Sequence, residues 1–450
     1  MNLGIFGTGY VGLVSAVCFA DLGHSVVAVD KNRQVVERLS AGVPTIYEPG
    51  LEEMLIRNLE ASRLSFTTHA EQAVPQSEIV FLCVGTPPRL DGSSDLVQVE
   101  EVAQGLAPLL DGYKLIVEKS TVPVNTARLI DRTLRWFAPP RCAYDVASNP
   151  EFLREGSAVR DFLHPDRIVV GVDSGRARSL MLELYGDDFD CPKLVTDVKT
   201  AELIKHASNA FLASKISFMN MVSDLCDELG VDVTAVARGM GLDPRIGSHF
   251  LNAGLGFGGS CLPKDLKAFV KIAEEMGVDF SLLRDVERVN EERVDRFLRK
   301  IERALWVIGG KTVGVLGGAF KPDTSDIRGA PGVKILGRLK DTGAVLRVYD
   351  PKAAPNLGKI YPPDDRLRYV KSPYEAATGA HALVILTEWA EFQSMDLARV
   401  RTLMRTPIII DGRNLFDPAE LQRRGFEYHS LGRGDVTMRD PHPAALAVGD

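Results

Sequence analysis

The feature that most restricts the fold lies at the start of the chain. An apolar run at residues 3–6 leads into Gly7-Thr8-Gly9-Tyr10-Val11-Gly12, then a helical pattern to about residue 22, then a second apolar run at 25–29 that stops at Asp30. Strand, glycine turn, helix, strand and acid in that order require two parallel strands joined by a crossover helix, the opening of a doubly wound sheet. The three glycines serve different ends. Gly7 makes the tight turn, Gly9 leaves room for a pyrophosphate, and Gly12 lets helix and strand pack closely. The helix N-terminus at Tyr10 and Val11 favours an anion. Asp30 stands 18 residues after Gly12, where a carboxylate accepts ribose hydroxyls and repels a 2′-phosphate, so NAD is expected over NADP. Arg33 lies close and tempers that preference.

More units follow, with strands expected at 79–84, 115–118, 144–147 and 168–172. Ligands bind open α/β sheets at the carboxyl ends of strands, so the segments leaving those ends are candidates. Thr86 opens a polar stretch between Gly85 and Asp95 that reads as a lid or as a surface loop. Glu118-Lys119-Ser120-Thr121-Val122-Pro123 ends the next strand. Thr121 there is a ligand for substrate or water, or a helix cap before Pro123. Ser148-Asn149-Pro150-Glu151-Phe152-Leu153-Arg154-Glu155-Gly156 ends the one after. Glu151 then faces the cofactor edge, as a general base or as a first-turn helix residue.

Residues 201–229 have helical periodicity without internal glycine or proline. Their apolar stripe is wider than one neighbour would bury, so packing against a second copy of the chain is expected. Lys205 and Asn209 share a face of this helix; by pattern alone Lys205 reads as a surface snorkel, with a buried cation as the alternative. Further on comes Gly258-Gly259-Ser260-Cys261-Leu262-Pro263-Lys264-Asp265. Proline suits a first helical turn, which puts Cys261 just ahead of a helix N-terminus. The positive end there, with Lys264 nearby, favours the nucleophilic thiolate. A glycine turn with a small apolar residue is the bland alternative.

Past Gly309-Gly310 the opening pattern returns in weaker form: a strand at 312–316, Gly317-Gly318, a helix near 333–339, a strand at 344–349 and then Asp350. Further strands are expected at 383–386 and 408–410. Lys321, Arg328 and Arg413 follow strand ends and suit phosphate oxygens, or are solvated surface cations. A chain of 450 residues exceeds one ordinary core. The expected organisation is a dinucleotide-binding domain at 1–198, a helical domain at 199–305, a second doubly wound domain at 306–434 and a disordered tail at 435–450. A net charge of -7 argues against broad nucleic-acid binding. The start lacks the marks of a signal peptide and no stretch has the length of a membrane span, so a cytoplasmic location is expected. Cys18, Cys83, Cys142, Cys191, Cys226 and Cys261 form no CxxC pair and no histidine completes a zinc site, so reduced thiols and no metal are expected.

The chain resembles the UDP-glucose/GDP-mannose dehydrogenases from Met1 to about Leu431. The resemblance is carried by Gly256 to Asp265, Asn149-Pro150-Glu151-Phe152-Leu153, Glu118 to Pro123, Glu202-Leu203-Ile204-Lys205-His206-Ala207-Ser208-Asn209-Ala210-Phe211 and Phe320 to Arg328. It implies an α/β fold of two doubly wound Rossmann-like domains joined by a long central helix and a helical dimerisation domain. It also implies four-electron oxidation of a primary alcohol to a carboxylate with NAD, the Cys261 thiolate holding the aldehyde as a thiohemiacetal and then as a thioester. By resemblance Lys205 and Asn209 stabilise the oxyanion, Asp265 and Thr121 hold a water, and Glu151 serves hydrolysis. Gly7, Gly9, Tyr10, Val11, Gly12, Asp30, Thr86, Thr121, Glu155, Lys264 and Arg328 fall on the cofactor side. Glu151, Phe152, Leu153, Lys205, Asn209, Phe250, Leu251, Asn252, Gly254, Phe257, Gly258, Lys321 and Arg413 surround the nucleotide sugar, and Arg245 reaches the substrate of a neighbouring subunit in a homodimer or larger assembly. The flanking Asp243 to Gly247 and Phe250 to Gly254 favour UDP-glucose; GDP-mannose or another nucleotide sugar is the alternative. A plain two-electron dehydrogenase and a silent NAD-binding regulator are opposed by the intact Cys261, Lys205, Asn209 and Asp265 set.

Overall fold

The structure is a computed structural model and describes residues 1–140 and 142–436. Its internal contacts divide the chain into two units: residues 1–210 with 264–280, and residues 211–263 with 281 onward. The helical stretch at 199–305, expected as a domain of its own, is shared between them. One helix, Val198–Leu229, runs unbroken from the first unit into the second. Nothing in its 32 residues interrupts it, since it has no proline and no glycine.

The first unit is built on eight strands: β1 (Asn2–Phe6), β2 (Ser25–Val29), β3 (Leu64–Thr67), β4 (Ile79–Leu82), β5 (Tyr113–Glu118), β6 (Ala143–Ser148), β7 (Ile168–Gly171) and β8 (Lys193–Thr196). Their order is β3-β2-β1-β4-β5-β6-β7-β8. All neighbours are parallel except β6 and β7, which meet antiparallel at Ser148 and Gly171. The strand order reverses between β1 and β4, which marks where a ligand binds such a sheet. Helices cover both faces, so the central strands are apolar throughout: β4, Ile-Val-Phe-Leu, is buried at every position. The helix Tyr10–Asp21 is buried continuously from Gly12 to Ala20, which accounts for its weak amphipathic pattern.

The second unit carries β9 (Thr312–Leu316), β10 (Val345–Tyr349), β11 (Leu367–Tyr369), β12 (Ala382–Ile385), β13 (Ile408–Asp411) and β14 (Glu427–Ser430). These are all parallel, in the order β11-β10-β9-β12-β13-β14, which repeats the first six places of the other sheet. The helix Ser281–Leu305 buries Val294, Phe297, Leu298, Ile301 and Leu305 at helical spacing in the same core as β9, β10 and β12. Asp435 and Val436, expected in a disordered tail, are held: Asp435 pairs with Lys300 at 3.1 Å and Val436 bridges Tyr428. The rest of that tail lies outside the described residues. Among the described residues no helix is long and apolar enough to cross a membrane.

Candidate active site

The glycine turn after β1 is shaped as the spacing requires. Gly7 has φ +92°. A Cβ on Gly12 would lie 1.9 Å from the Gly7 carbonyl oxygen, so helix and strand touch there. A Cβ on Gly9 would meet nothing within 4 Å. That open space sits at the N-cap of Tyr10–Asp21, where no side chain caps the helix. Exposed N–H groups and an open approach are what a dinucleotide pyrophosphate needs, so the cradle fits NAD. Asp30, at the end of β2, accepts from the Thr8 N–H at 3.0 Å and the Thr8 hydroxyl at 2.7 Å. It stays half-exposed, and a carboxylate has lone pairs beyond those that Thr8 uses. The Tyr10 hydroxyl bonds Glu48, and both accept from the Gly156 N–H. Tyr10 is thereby fastened to the turn that carries Glu155.

The polar groups that follow β4, β5 and β6 meet the long helix in two clusters one helical turn apart. Glu151 Oε1 lies 3.2 Å from Lys205 Nζ, and both side chains are about 5 % exposed. Lys205 also donates to the Glu151 carbonyl. One turn along the helix, Asn209 donates to Asp265 at 2.6 Å. Lys264 Nζ lies 2.8 Å from the other Asp265 oxygen, as an ion pair without an aligned hydrogen bond. Lys264 in turn reaches the Thr86 hydroxyl at 3.3 Å and the Thr121 carbonyl at 3.5 Å. Asp265 is fully buried. Lys205 is therefore a buried cation and not the surface snorkel its pattern suggested; the Glu151 carboxylate offsets its desolvation. Lys205 also stands over the Phe152 ring at 5.2 Å, which Arg167 covers at 3.8 Å. Leu153 donates its N–H to Glu151 Oε2 at 2.6 Å, fixing the carboxylate from behind.

Several groups that support these clusters were not singled out in the sequence. Glu48, 5 % exposed, also accepts from the Ala158 N–H at 2.7 Å. Lys119, fully buried, donates to Asn149 Oδ1 at 2.8 Å, and burial holds its pKa below the usual lysine range. Burial pushes the Glu118 carboxyl well up. His206 sits between the catalytic candidates on the long helix, bonds the Val122 carbonyl at 2.7 Å, and has its pKa lowered by burial. Glu202 accepts from the Asn125 and Ala127 N–H groups at 2.7 and 2.9 Å and so anchors the start of Thr126–Phe137. The signal for them was present: each is a polar residue inside an otherwise apolar or motif-bearing run.

In the second unit Cys261 is half-buried and immediately precedes the helix Leu262–Glu275, as its proline predicts. Its Sγ lies 3.5 Å from the Ser260 hydroxyl. The preceding Gly259 N–H donates to the Arg328 carbonyl at 2.8 Å. Leu251, Gly254, Phe257 and Gly258 are buried and Asn252 is exposed, while Phe250 has φ +64°, a strained state for a bulky residue. Arg413 donates to the Phe320 and Leu386 carbonyls at 3.1 and 2.9 Å, just past the carboxyl ends of strands. Lys321 Nζ stands 5.6 Å over the Phe320 ring. Arg328 is turned onto Asp326 and Arg245 onto Asp243, each by charged hydrogen bonds, with the Arg245 side chain 87 % exposed. Among the described residues no group of three or more histidine, cysteine or acidic side chains is gathered for a metal.

Comparison with known proteins finds one family over most of the chain. Three models of the UDP-glucose/GDP-mannose dehydrogenase family match in order: the NAD binding domain at residues 1–188, the central domain at 199–292 and the UDP binding domain at 314–418. The UDP-glucose 6-dehydrogenase TuaD of Bacillus subtilis is 43% identical over 440 residues, covering 98% of this chain and 95% of the relative. The UDP-glucose 6-dehydrogenase of Rhizobium meliloti is 45% identical, covering 97% of this chain and all of the relative. The solved UDP-glucose dehydrogenase of Pyrobaculum islandicum superposes with a TM-score of 0.88 at 43% identity, covering 95% of this chain and 96% of that one.

Proposed function

The chain belongs to the UDP-glucose/GDP-mannose dehydrogenase family, and from that membership we propose that it oxidises the C6 alcohol of UDP-glucose to the carboxylate of UDP-glucuronate. The observation that carries the reading is the pair of buried contacts Glu151–Lys205 and Asn209–Asp265 in a chain whose first sheet also keeps an open glycine cradle. A structural ion pair alone needs no second acid and amide one helical turn away. NAD supplies the hydride acceptor, held by Gly7, Gly9, Gly12 and Asp30, with Tyr10, Val11, Thr86, Glu155, Lys264 and Arg328 at its borders. Asp265 and Thr121 hold the water that takes the hydroxyl proton in the first oxidation. The Cys261 thiolate adds to the resulting aldehyde, a bond forming from sulfur to C6, and Lys205 and Asn209 steady the oxyanion. Loss of a second hydride leaves a thioester. Glu151 takes a proton from water as it attacks, and the C6–sulfur bond breaks to give the acid and the free thiolate. Phe152, Leu153, Phe250, Leu251, Asn252, Gly254, Phe257, Gly258, Lys321 and Arg413 hold the nucleotide sugar.

We assign the working form as a homodimer. Phe211, Phe218 and Leu225 are 68, 49 and 58 % exposed at seven-residue spacing on the long helix, beside Met221 and Leu229. An exposed apolar stripe of that kind asks for a partner helix, and Arg245 then serves the partner's substrate. The six cysteines all stand as thiols, which fits a reducing, cytoplasmic compartment.

The test is NADH release over a panel of nucleotide sugars, with sugar consumption counted in parallel. UDP-glucose should be preferred, at about two NADH per sugar as four electrons require. A ratio of one, or turnover of GDP-mannose in preference, overturns the assignment. In Cys261→Ser, acid formation should stop.

A further inference from the structure

The loop leading to Cys261 is held by side chains that belong to no strand end and no motif described above. Gly254 donates its N–H to Asn220 Oδ1 at 2.8 Å, and its carbonyl accepts from Arg293 Nε at 3.1 Å. Three residues later, the Phe257 N–H donates to Asn290 Oδ1 at 2.7 Å while Asn290 Nδ2 donates back to the Phe257 carbonyl at 3.0 Å. Asn290 thus pairs with that peptide as a neighbouring strand would, through both of its backbone groups. Asn290 and Arg293 are i and i+3 on Ser281–Leu305, so one helix face holds both ends of the loop. Arg293 is 1 % exposed. It is oriented by Asp224, by the Asn220 carbonyl at 3.3 Å and by the Ser223 hydroxyl at 3.2 Å. A buried guanidinium is costly to leave unpaired, and here one carboxylate, one hydroxyl and two main-chain carbonyls take up its donors.

We infer that Asn290 and Arg293 are positioning residues for the reaction: they fix Gly254–Phe257 so that the segment running on to Cys261 presents the sulfur and the sugar-binding backbone in one register. The inference rests on the proposed thiohemiacetal chemistry. A loosened loop lets the aldehyde leave before sulfur captures it, which is a failure specific to positioning and not to loss of fold.

Asn290→Ala tests this in the full-length protein with UDP-glucose and NAD. Its KM for the sugar should rise about tenfold, since displacements near 1 Å cost that much or more. NADH formed per sugar consumed should fall below the wild-type ratio, and semicarbazide in the assay should trap free aldehyde. NAD affinity should stay within about twofold of wild type, because its cradle lies elsewhere in the chain. Arg293→Lys, which keeps a cation beside Asp224 but loses the fork, should shift the same quantities in the same direction. A folded Asn290→Ala protein with wild-type KM and ratio overturns the inference. So does a uniform loss of melting temperature, NAD binding and turnover in both variants, or failure of both to fold, which would make the contacts structural only. If wild type itself fails to reach two NADH per sugar, the proposed function falls and not the loop assignment alone.

Discussion

The two sheets share a strand order and differ in what fills the turn after the first strand. After β1, the middle glycine of the turn opens onto space. After β9 the matching position is Ala319, since Gly317 and Gly318 make the bonds to strand and acid that Gly7 and Thr8 make after β1; its methyl is 1 % exposed, and a Cβ on the preceding Gly318 would lie 2.4 Å from the fully buried Leu357 side chain. The acids that end the second strands differ in the same sense. Asp30 accepts from Thr8 and Asn32 and remains half-exposed. Asp350 is 3 % exposed and accepts from four N–H groups, those of Gly318, Ala319, Lys352 and Ala353, at 2.8, 3.0, 2.9 and 2.6 Å. One sheet keeps its cradle for a ligand; the other has closed the same cradle with its own side chains and pinned it with its own acid. Strand order therefore does not say which sheet holds a dinucleotide, while the space beside one glycine does.

The largest effect should follow from Asp350→Ala. Three buried N–H groups and the part-buried one of Lys352 would lose their acceptor, and with roughly 1–3 kcal/mol for each unsatisfied buried group before relaxation, a net loss of about 4 kcal/mol is expected in urea unfolding. NAD affinity should not change. The mirror experiment is Gly9→Val. Nothing lies within 4 Å of the added Cβ, so the melting temperature should hold, but NAD affinity should fall by about 100-fold, or about 2.7 kcal/mol, as the valine takes the pyrophosphate's place. If Gly9→Val binds NAD normally, the open cradle is not the cofactor site and the contrast between the sheets collapses. Gly318→Ala sharpens the contrast at lower cost. It forces a methyl against Leu357 and should destabilise by about 1–3 kcal/mol, with NAD binding intact.

Much of this contrast was readable in the residues, and the unread part has a physical pattern. The strands that sequence reasoning passed over are β3, β8, β11 and β14, Leu-Ser-Phe-Thr, Lys-Leu-Val-Thr, Leu-Arg-Tyr and Glu-Tyr-His-Ser. All four are sheet edges. An edge strand is short, is covered less completely and carries polar residues against unwanted pairing, so it lacks the continuous apolar run that marks β4 or β12. Gly317-Gly318 announced a second turn, but the residue that fills it, Leu357, lies far along the chain, and no spacing rule connects the two. Lys205 shows the same limit: its burial depends on Glu151, more than fifty residues away, and a helical pattern carries no such information. Cys261 was legible because its determinants, Pro263 and the following apolar periodicity, are local.

The smallest predicted effect sets the two units apart by sign. In the first, burial lowers the pKa of His206, with Asp265 pulling the other way and Lys264 adding to the lowering. In the second, burial also opposes charge on His429, but Asp435 at 3.2 Å and Glu427 at 2.8 Å outweigh it and leave the pKa raised. An unfolded histidine titrates near about 6.5. Below that pH the unfolded chain binds a proton that buried His206 refuses, so its contribution to stability is present above about 6.5 and is lost on acidification. His429 binds its proton more tightly when folded. Its contribution is present below about 6.5 and is lost as the pH rises through its raised pKa. Stability measured from pH 8 to pH 5.5 should therefore change in opposite ways in two variants. Relative to wild type, His206→Gln should gain as the pH falls and His429→Gln should lose. Each change should be about 1 kcal/mol or less, since a full tenfold change in proton affinity is worth only about 1.4 kcal/mol. Parallel slopes in the two variants would mean that Asp435 and Glu427 do not hold the imidazolium, and that the two units respond to acid alike.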